Sequence, residues 1–220
     1  MEKIEHKRGS VTLNVNYNHT TTHSLEYNTY CELSTNFRYI LRLNLNKVNK
    51  NRVNNNGETI IFILKNPSDA DCNTKDKTLT RLAGWTYHPI KNIHNFTICN
   101  LFPIKAKKSY ELKKNWLNLT EEEKKSILEE NDFKIKQCLI KHEKIILGWG
   151  EHKPLHKKEY DARVKKVLEF EEIKKEELFK VGKCLKEEYP KHPLGMWSYK
   201  TEKENFDREK ALAQLNGKYN

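Results

Sequence analysis

Thr59-Ile60-Ile61-Phe62-Ile63-Leu64-Lys65-Asn66-Pro67-Ser68 is the stretch that decides the architecture of this chain. Its first six residues are apolar or β-branched without polar alternation, the pattern of a strand covered on both faces. Asn66-Pro67-Ser68 then supplies turn formers, because proline fixes φ and the short polar side chains bond to nearby backbone. Downstream the same rhythm repeats. Helical patterns over Lys77–Trp85, Lys108–Trp116 and Thr120–His142 separate apolar strands at Phe96–Asn100 and Lys144–Trp149. Thr120 and Glu123 have the spacing of a capping box. A long charged helix is expected over Lys157–Val181, a last short strand at Lys183–Lys186 and a C-terminal helix at Glu204–Leu215. Strands alternating with helices imply a three-layer α/β/α domain with a mainly parallel central sheet.

Upstream of Thr59 the pattern differs. Val11–Tyr17 and Phe37–Leu45 alternate with period two and are expected as a hairpin or as edge strands, with Asn49–Gly57 as a polar turn. Residues 1–58 thus form a β-rich extension packed on the same domain as residues 59–220. A chain of 220 residues is long enough for one such domain and its core.

Lys plus Arg number 41 against 30 for Asp plus Glu, a net charge of +11. This balance favours anionic partners, although a lysine-rich solvated surface gives the same total. In Lys157–Lys180 the Lys and Glu spacing reads first as a solvated helix face. The five cysteines are scattered, with no C-x-x-C pair, so neither a zinc site nor a disulfide framework is indicated, and no metal or cofactor is expected. No N-terminal segment reads as a signal peptide and no apolar run is long enough to span a bilayer, so a cytoplasmic protein without a membrane partner is expected.

The chemistry-bearing residues fall after the expected strands, where open α/β sheets bind ligands. After the first come Lys65, Asn66, Asp69 and Asp71; after the second Asn100, Phe102 and Lys105; after the third Trp149, Gly150 and His152; after the last His192-Pro193-Leu194. Each has a structural reading too: Asn66 can close a turn, Asn100 cap a strand end, His192 satisfy backbone carbonyls and Trp149 pack in the core.

F-R-Y at Phe37–Tyr39, N-P-S-x-A-D at Asn66–Asp71, D-x-T-x-x-R at Asp76–Arg81, N-L-F at Asn100–Phe102, W-G at Trp149–Gly150 and H-P-L at His192–Leu194 resemble, in this order, the domain-of-unknown-function-1643 family of bacteria and phages. More distantly, the order is similar to that of the uracil-DNA glycosylase superfamily. That resemblance implies a glycosylase-like fold for residues 59–220, with DNA or a nucleotide as partner and an ordinary or modified base released in a phage or defence setting. It implies catalytic roles for Asn66, Asp69, Asp71 (or Asp76) and His192, base recognition by Asn100, Phe102 and Trp149, and nucleic-acid contacts by Lys65, Arg81, Lys105, His152, Met196 and Trp197. Such roles suit the residue types. A donor on a departing base anion lowers the barrier, an amide reads a base edge, and a carboxylate or amide holds water. No carboxylate occupies the Asn66 position and Leu194 stands where the superfamily has serine. Binding without turnover, and a protein-interaction module on the same fold, stay open as alternatives.

Overall fold

The computed structural model describes residues 3–15, 22–45, 58–68, 70–88, 93–142, 144–174, 177–186, 188–195 and 201–218. The expected turn at Asn49–Gly57 lies outside them. Among the described residues eight strands form one sheet: β1 (Glu5–Val15), β2 (His23–Leu33), β3 (Arg38–Leu45), β4 (Glu58–Leu64), β5 (Ile93–Asn100), β6 (Lys144–Gly148), β7 (Leu178–Val181) and β8 (Lys203–Asn205). The helices are α1 (Lys77–Tyr87), α2 (Ser109–Leu117), α3 (Glu121–Leu139), α4 (Lys157–Leu168), α5 (Glu171–Lys174) and α6 (Arg208–Gly217).

The strand order is β1-β2-β3-β5-β4-β6-β7-β8. At its centre β5, β4, β6 and β7 run parallel. The pairs β1–β2, β2–β3, β3–β5 and β7–β8 are antiparallel. Four of the seven pairings are therefore antiparallel, which corrects the expectation of a mainly parallel sheet. The N-terminal strands are not a separate layer but continue the sheet as a meander, and β8 closes its other edge.

β4 pairs with a neighbour on each side, and its side chains divide between two cores. Ile61 and Ile63 join Cys99 and Leu147 beneath α2, α3, α4 and α6, while Ile60, Phe62 and Leu64 join Phe96, Ile98 and Ile146 beneath α1. Burial on both faces is why this strand shows no alternation. Helix starts follow local chemistry: the Asp76 carboxylate accepts from the Leu79 amide, and Thr120 and Glu123 form the expected reciprocal cap.

The long helix expected over Lys157–Val181 ends at Leu168, and after α5 the chain becomes β7, so the last parallel strand is Leu178–Val181 and not Lys183–Lys186. Lys and Glu continue through the break, which hides it. The strand is marked only by Leu178, Phe179 and Val181, all buried in the sheet. Among the described residues no helix is long and apolar enough to cross a membrane.

β4 should dominate stability. Truncating Ile63 (fully buried) to Ala is expected to cost about 2–5 kcal/mol in urea denaturation, whereas Ile140→Ala, at a side chain 74% exposed, should stay within about 0.5 kcal/mol.

Candidate functional site

The connection β4–α1–β5 moves outward along one face of the sheet, and β6–α4–β7 moves the other way along the opposite face. The carboxyl ends of β4 and β6 thus flank a topological switch point, where such sheets leave a crevice. A cleft of about 250 Å³ opens here, lined by Leu64, Lys65, Asn66 and Ser68 from the β4 end, His192 and Leu194 from the loop after β7, and Pro154. Arg38, Asp76, Thr78, Lys107 and Lys108 complete its polar wall, and Leu41, Leu79, Ile98 and Leu112 its apolar one.

Four sequence-derived residues, Lys65, Asn66, His192 and the alternative carboxylate Asp76, therefore meet in one cleft. The Asn66 amide nitrogen donates to the carbonyls of Pro67 (2.9 Å) and Ala106 (3.2 Å), which fixes the side chain with its oxygen left as an acceptor. Lys65 donates to the Lys153 carbonyl at 2.9 Å and lies 5.6 Å over the Tyr160 ring. Burial pulls its pKa down to about 8. Burial, with the charge of Lys65 beside it, pulls His192 down to about 4, so its imidazole is neutral at pH 7. The Leu194 amide donates to His192 Nδ1 at 3.3 Å, which places the imidazole proton on Nε2. Gly150 permits this placement. It adopts φ +69° and a Cβ there would stand 3.3 Å from that of His192.

The other expected residues go elsewhere. Asp71 accepts from the amides of Asn73 and Thr74 and from the Thr74 hydroxyl, so its carboxylate shapes the loop. Asn100 is fully buried and absent from the cleft lining, and both polar atoms of its amide lack a hydrogen-bond partner. It pairs in register with Leu64 and, two residues past Ile98, projects to the same face as these two cleft-lining residues. Phe102 is enclosed between Trp116 and Tyr160, and Trp149 donates to the Glu188 carbonyl and packs on Phe206. Both rings are core residues. Lys105 ties down the turn carbonyls of Ser34 and Thr35, Arg81 lies along α1 and His152 lies beside Tyr189; none of the three lines the cleft. Asp69, Met196 and Trp197 lie outside the described residues.

Arg38, Lys107 and Lys108 are the charged cleft residues that the sequence reading did not single out as site residues. For Arg38 the signal was present in the F-R-Y triplet, but a charged residue opening a strand reads first as surface. It is instead 3% exposed. One guanidinium nitrogen donates to the Ala70 carbonyl, Nε has no partner, and no described carboxylate forms an ion pair with it. Counting side chains, the lining holds four cations (Arg38, Lys65, Lys107, Lys108) and one carboxylate, Asp76. A second hollow of about 620 Å³, whose lining includes Phe37, Tyr39, Ile104 and Ile127, contains none of the expected residues. Among the described residues no group of three His, Cys, Asp or Glu side chains is placed to hold a metal ion.

A family model described as protein of unknown function (DUF1643) matches residues 38–194, well over half of the chain, so the chain belongs to that family. No curated protein and no solved structure matches it. The matched span begins at Arg38 and ends at Leu194, two residues that line the cleft.

The state of His192 can be read directly. In ¹⁵N-resolved NMR its imidazole should remain in the neutral Nε2–H form at pH 6, where an exposed histidine is largely protonated. A folded pKa below the unfolded value of about 6.5 means that the unfolded chain takes up the proton first. Stability from this group is therefore complete above about pH 6.5 and falls as pH drops towards 4, a loss that His192→Gln should reduce in denaturation at pH 5 against pH 7.5.

Proposed function

We propose that the cleft holds one nucleotide unit, free or extruded from nucleic acid, and that the N-glycosidic bond of this unit is the bond its residues serve to cleave. The observation that carries this reading is that Asn66 and His192, from loops 126 residues apart, line one cleft together with Arg38 and Lys65. A volume of about 250 Å³ suits a single unit better than a larger ligand, since pockets for drug-sized molecules run to about 300–1,000 Å³. The apolar wall of Leu41, Leu79 and Ile98 offers a surface for a base or sugar, and the cations offer one for phosphate. The order of these motifs along the chain, similar to that of uracil-DNA glycosylases, supports the same assignment.

In this reading the bond between C1′ and the base nitrogen breaks, and its electron pair leaves with the base. The Nε2–H of His192 donates to the oxygen on which that charge develops. The Asn66 side-chain oxygen accepts a hydrogen bond from the water that adds to C1′, and Asp76 is the lining carboxylate nearest in kind to a general base. The water's hydroxyl ends on C1′ and its proton on the base, so the products are a free base and an abasic sugar.

A second reading, recognition of the same unit without cleavage, is favoured by the state of the carboxylates. Asp71 is occupied by three hydrogen bonds, and Asp76 already accepts from the Leu79 amide to cap α1.

Base release measured by chromatography, on free nucleotides and on DNA carrying uracil or other modified bases, separates these. Cleavage predicts release by the wild-type chain that falls about 10²–10³-fold in His192→Ala and about 10²-fold or more in Asn66→Ala, with both variants folded. Saturable binding of a nucleotide or of DNA with no released base would leave the second reading. Absence of both activities would remove the two together.

A further inference from the structure

We infer that the cationic lining around Arg38 is a subsite for a terminal phosphate monoester, so that its ligand is a nucleotide with a free phosphate end and not an internal unit of a nucleic-acid chain. This deepens the proposed reading, rests on it, and names the substrate class of the same site.

The first ground is Arg38. A guanidinium this deeply buried is costly unless it is paired and hydrogen-bonded. Here one nitrogen reaches the Ala70 carbonyl, Nε reaches nothing, and among the described residues Asp71 and Asp76 act on the charge through space without a direct ion pair. An anion entering the cleft would supply the missing acceptor, and phosphate suits the flat fork of arginine.

The second ground is the charge of the lining that Arg38 joins. Lys65, beside His192, spends one of its three N–H groups on the Lys153 carbonyl. Lys107 and Lys108 stand at the start of α2, and Thr78 and Leu79 bring the amino end of α1 to the same wall. Those helix ends are not the main attraction. Asp76 already accepts from the Leu79 amide, and Glu111 accepts from the amides of Lys107 and Lys108. The side-chain cations carry the recognition, and four against one carboxylate leave a net charge of +3.

The third ground is shape. A terminal phosphate carries close to two negative charges at neutral pH, with a second pKa of about 6, and a diester carries one. A diester also has two substituents that must both leave the pocket, whereas a monoester has one. A cationic group that lines a small cleft and is only 3% exposed is reached more readily by the latter.

Calorimetric titration of the full chain tests this with four probes: the nucleoside 5′-monophosphates, the matching nucleosides, a dinucleotide joined by one diester with no terminal phosphate, and a 5′-phosphorylated oligonucleotide beside its 5′-hydroxyl form. The monophosphates should bind at least tenfold tighter than both the nucleosides and the dinucleotide, and inorganic phosphate should compete. If free nucleotides are the source, they should outcompete the 5′-phosphorylated oligonucleotide; if chain ends are, the 5′-phosphorylated form should bind tenfold tighter than the 5′-hydroxyl form. Arg38→Gln should reduce monophosphates to nucleoside affinity. Should that variant fail to fold, the exposed double change Lys107→Ser with Lys108→Ser keeps the test, with a several-fold loss for monophosphates, none for nucleosides, and an unchanged melting temperature. Equal or tighter binding of the dinucleotide or the 5′-hydroxyl oligonucleotide would overturn this inference while leaving a nucleotide site in place. No binding by any of the probes would overturn both.

Discussion

The hydrogen-bond ladder between β4 and β5 does not stop where the strands do, and the site depends on that continuation. The Leu101 amide donates to the Leu64 carbonyl at 2.7 Å, Phe102 to Lys65 at 2.9 Å and Ala106 to Pro67 at 2.9 Å. On the far side of the 101–106 segment, Arg38 donates to the Pro103 carbonyl and Lys105 to that of Asn36. Three chain segments are thereby laced together beyond the sheet. Loops with so many backbone groups committed to one another have few conformations left to lose when a ligand binds. Lys65, Asn66 and Arg38 all project from these laced segments, so their side chains begin from fixed points. That is the preorganisation a polar site needs, whether it binds or cleaves.

The N-terminal strands explain how the next stretch, residues 70–76, is kept in place although it belongs to no strand or helix. Thr29 donates to the Cys72 carbonyl at 2.6 Å, the Cys72 thiol donates to the Lys7 carbonyl, and Lys75 donates to the Thr12 carbonyl. β1 approaches so closely at Gly9 that a Cβ there would lie 2.5 Å from the Cys72 carbonyl oxygen and 2.2 Å from the Asn73 side chain. Only glycine lets backbone meet backbone at that distance. Arg38, from β3, holds Ala70 from within. The extension thus supports the wall of the cleft, which makes it part of the site's construction and not an appendage to it.

Much of this was legible in the sequence, and the failures have physical causes. β4, β5 and β6 announced themselves because buried parallel strands exclude polar residues. α3 was placed by its capping box and α1 by its helical pattern. β2 was missed because His23–Leu33 mixes Tyr, Thr, Asn and Glu, whose alternation is visible only once Leu25, Tyr27 and Cys31 are known to face inward. β7 was hidden inside a run of Lys and Glu, and β8 is three residues long. At the site, polar residues at strand ends could be found by position, since a ladder must end somewhere and its end faces the crevice. Aromatic residues at the same positions could not be assigned, because Phe102 and Trp149 look alike as stacking platform or core until their neighbours are known. Arg38 shows the converse difficulty. Burial of a cation is a tertiary property, and no local pattern reports it.

The protonation of His192 bears on what a reaction here would require. A half-buried histidine flanked by Lys65 stays neutral, so it presents a hydrogen-bond donor without adding to the positive charge of the cleft. With so low a pKa it gives up its second proton easily but holds it only in acid, and at neutral pH it has none to give. Charge developing on a departing base would then be met by hydrogen bonding and by the field of Lys65, not by proton transfer from the imidazole. Such stabilisation is strongest for leaving groups that already tolerate negative charge. A base whose anion is delocalised over carbonyl oxygens fits this environment, and one that must be protonated before it leaves does not.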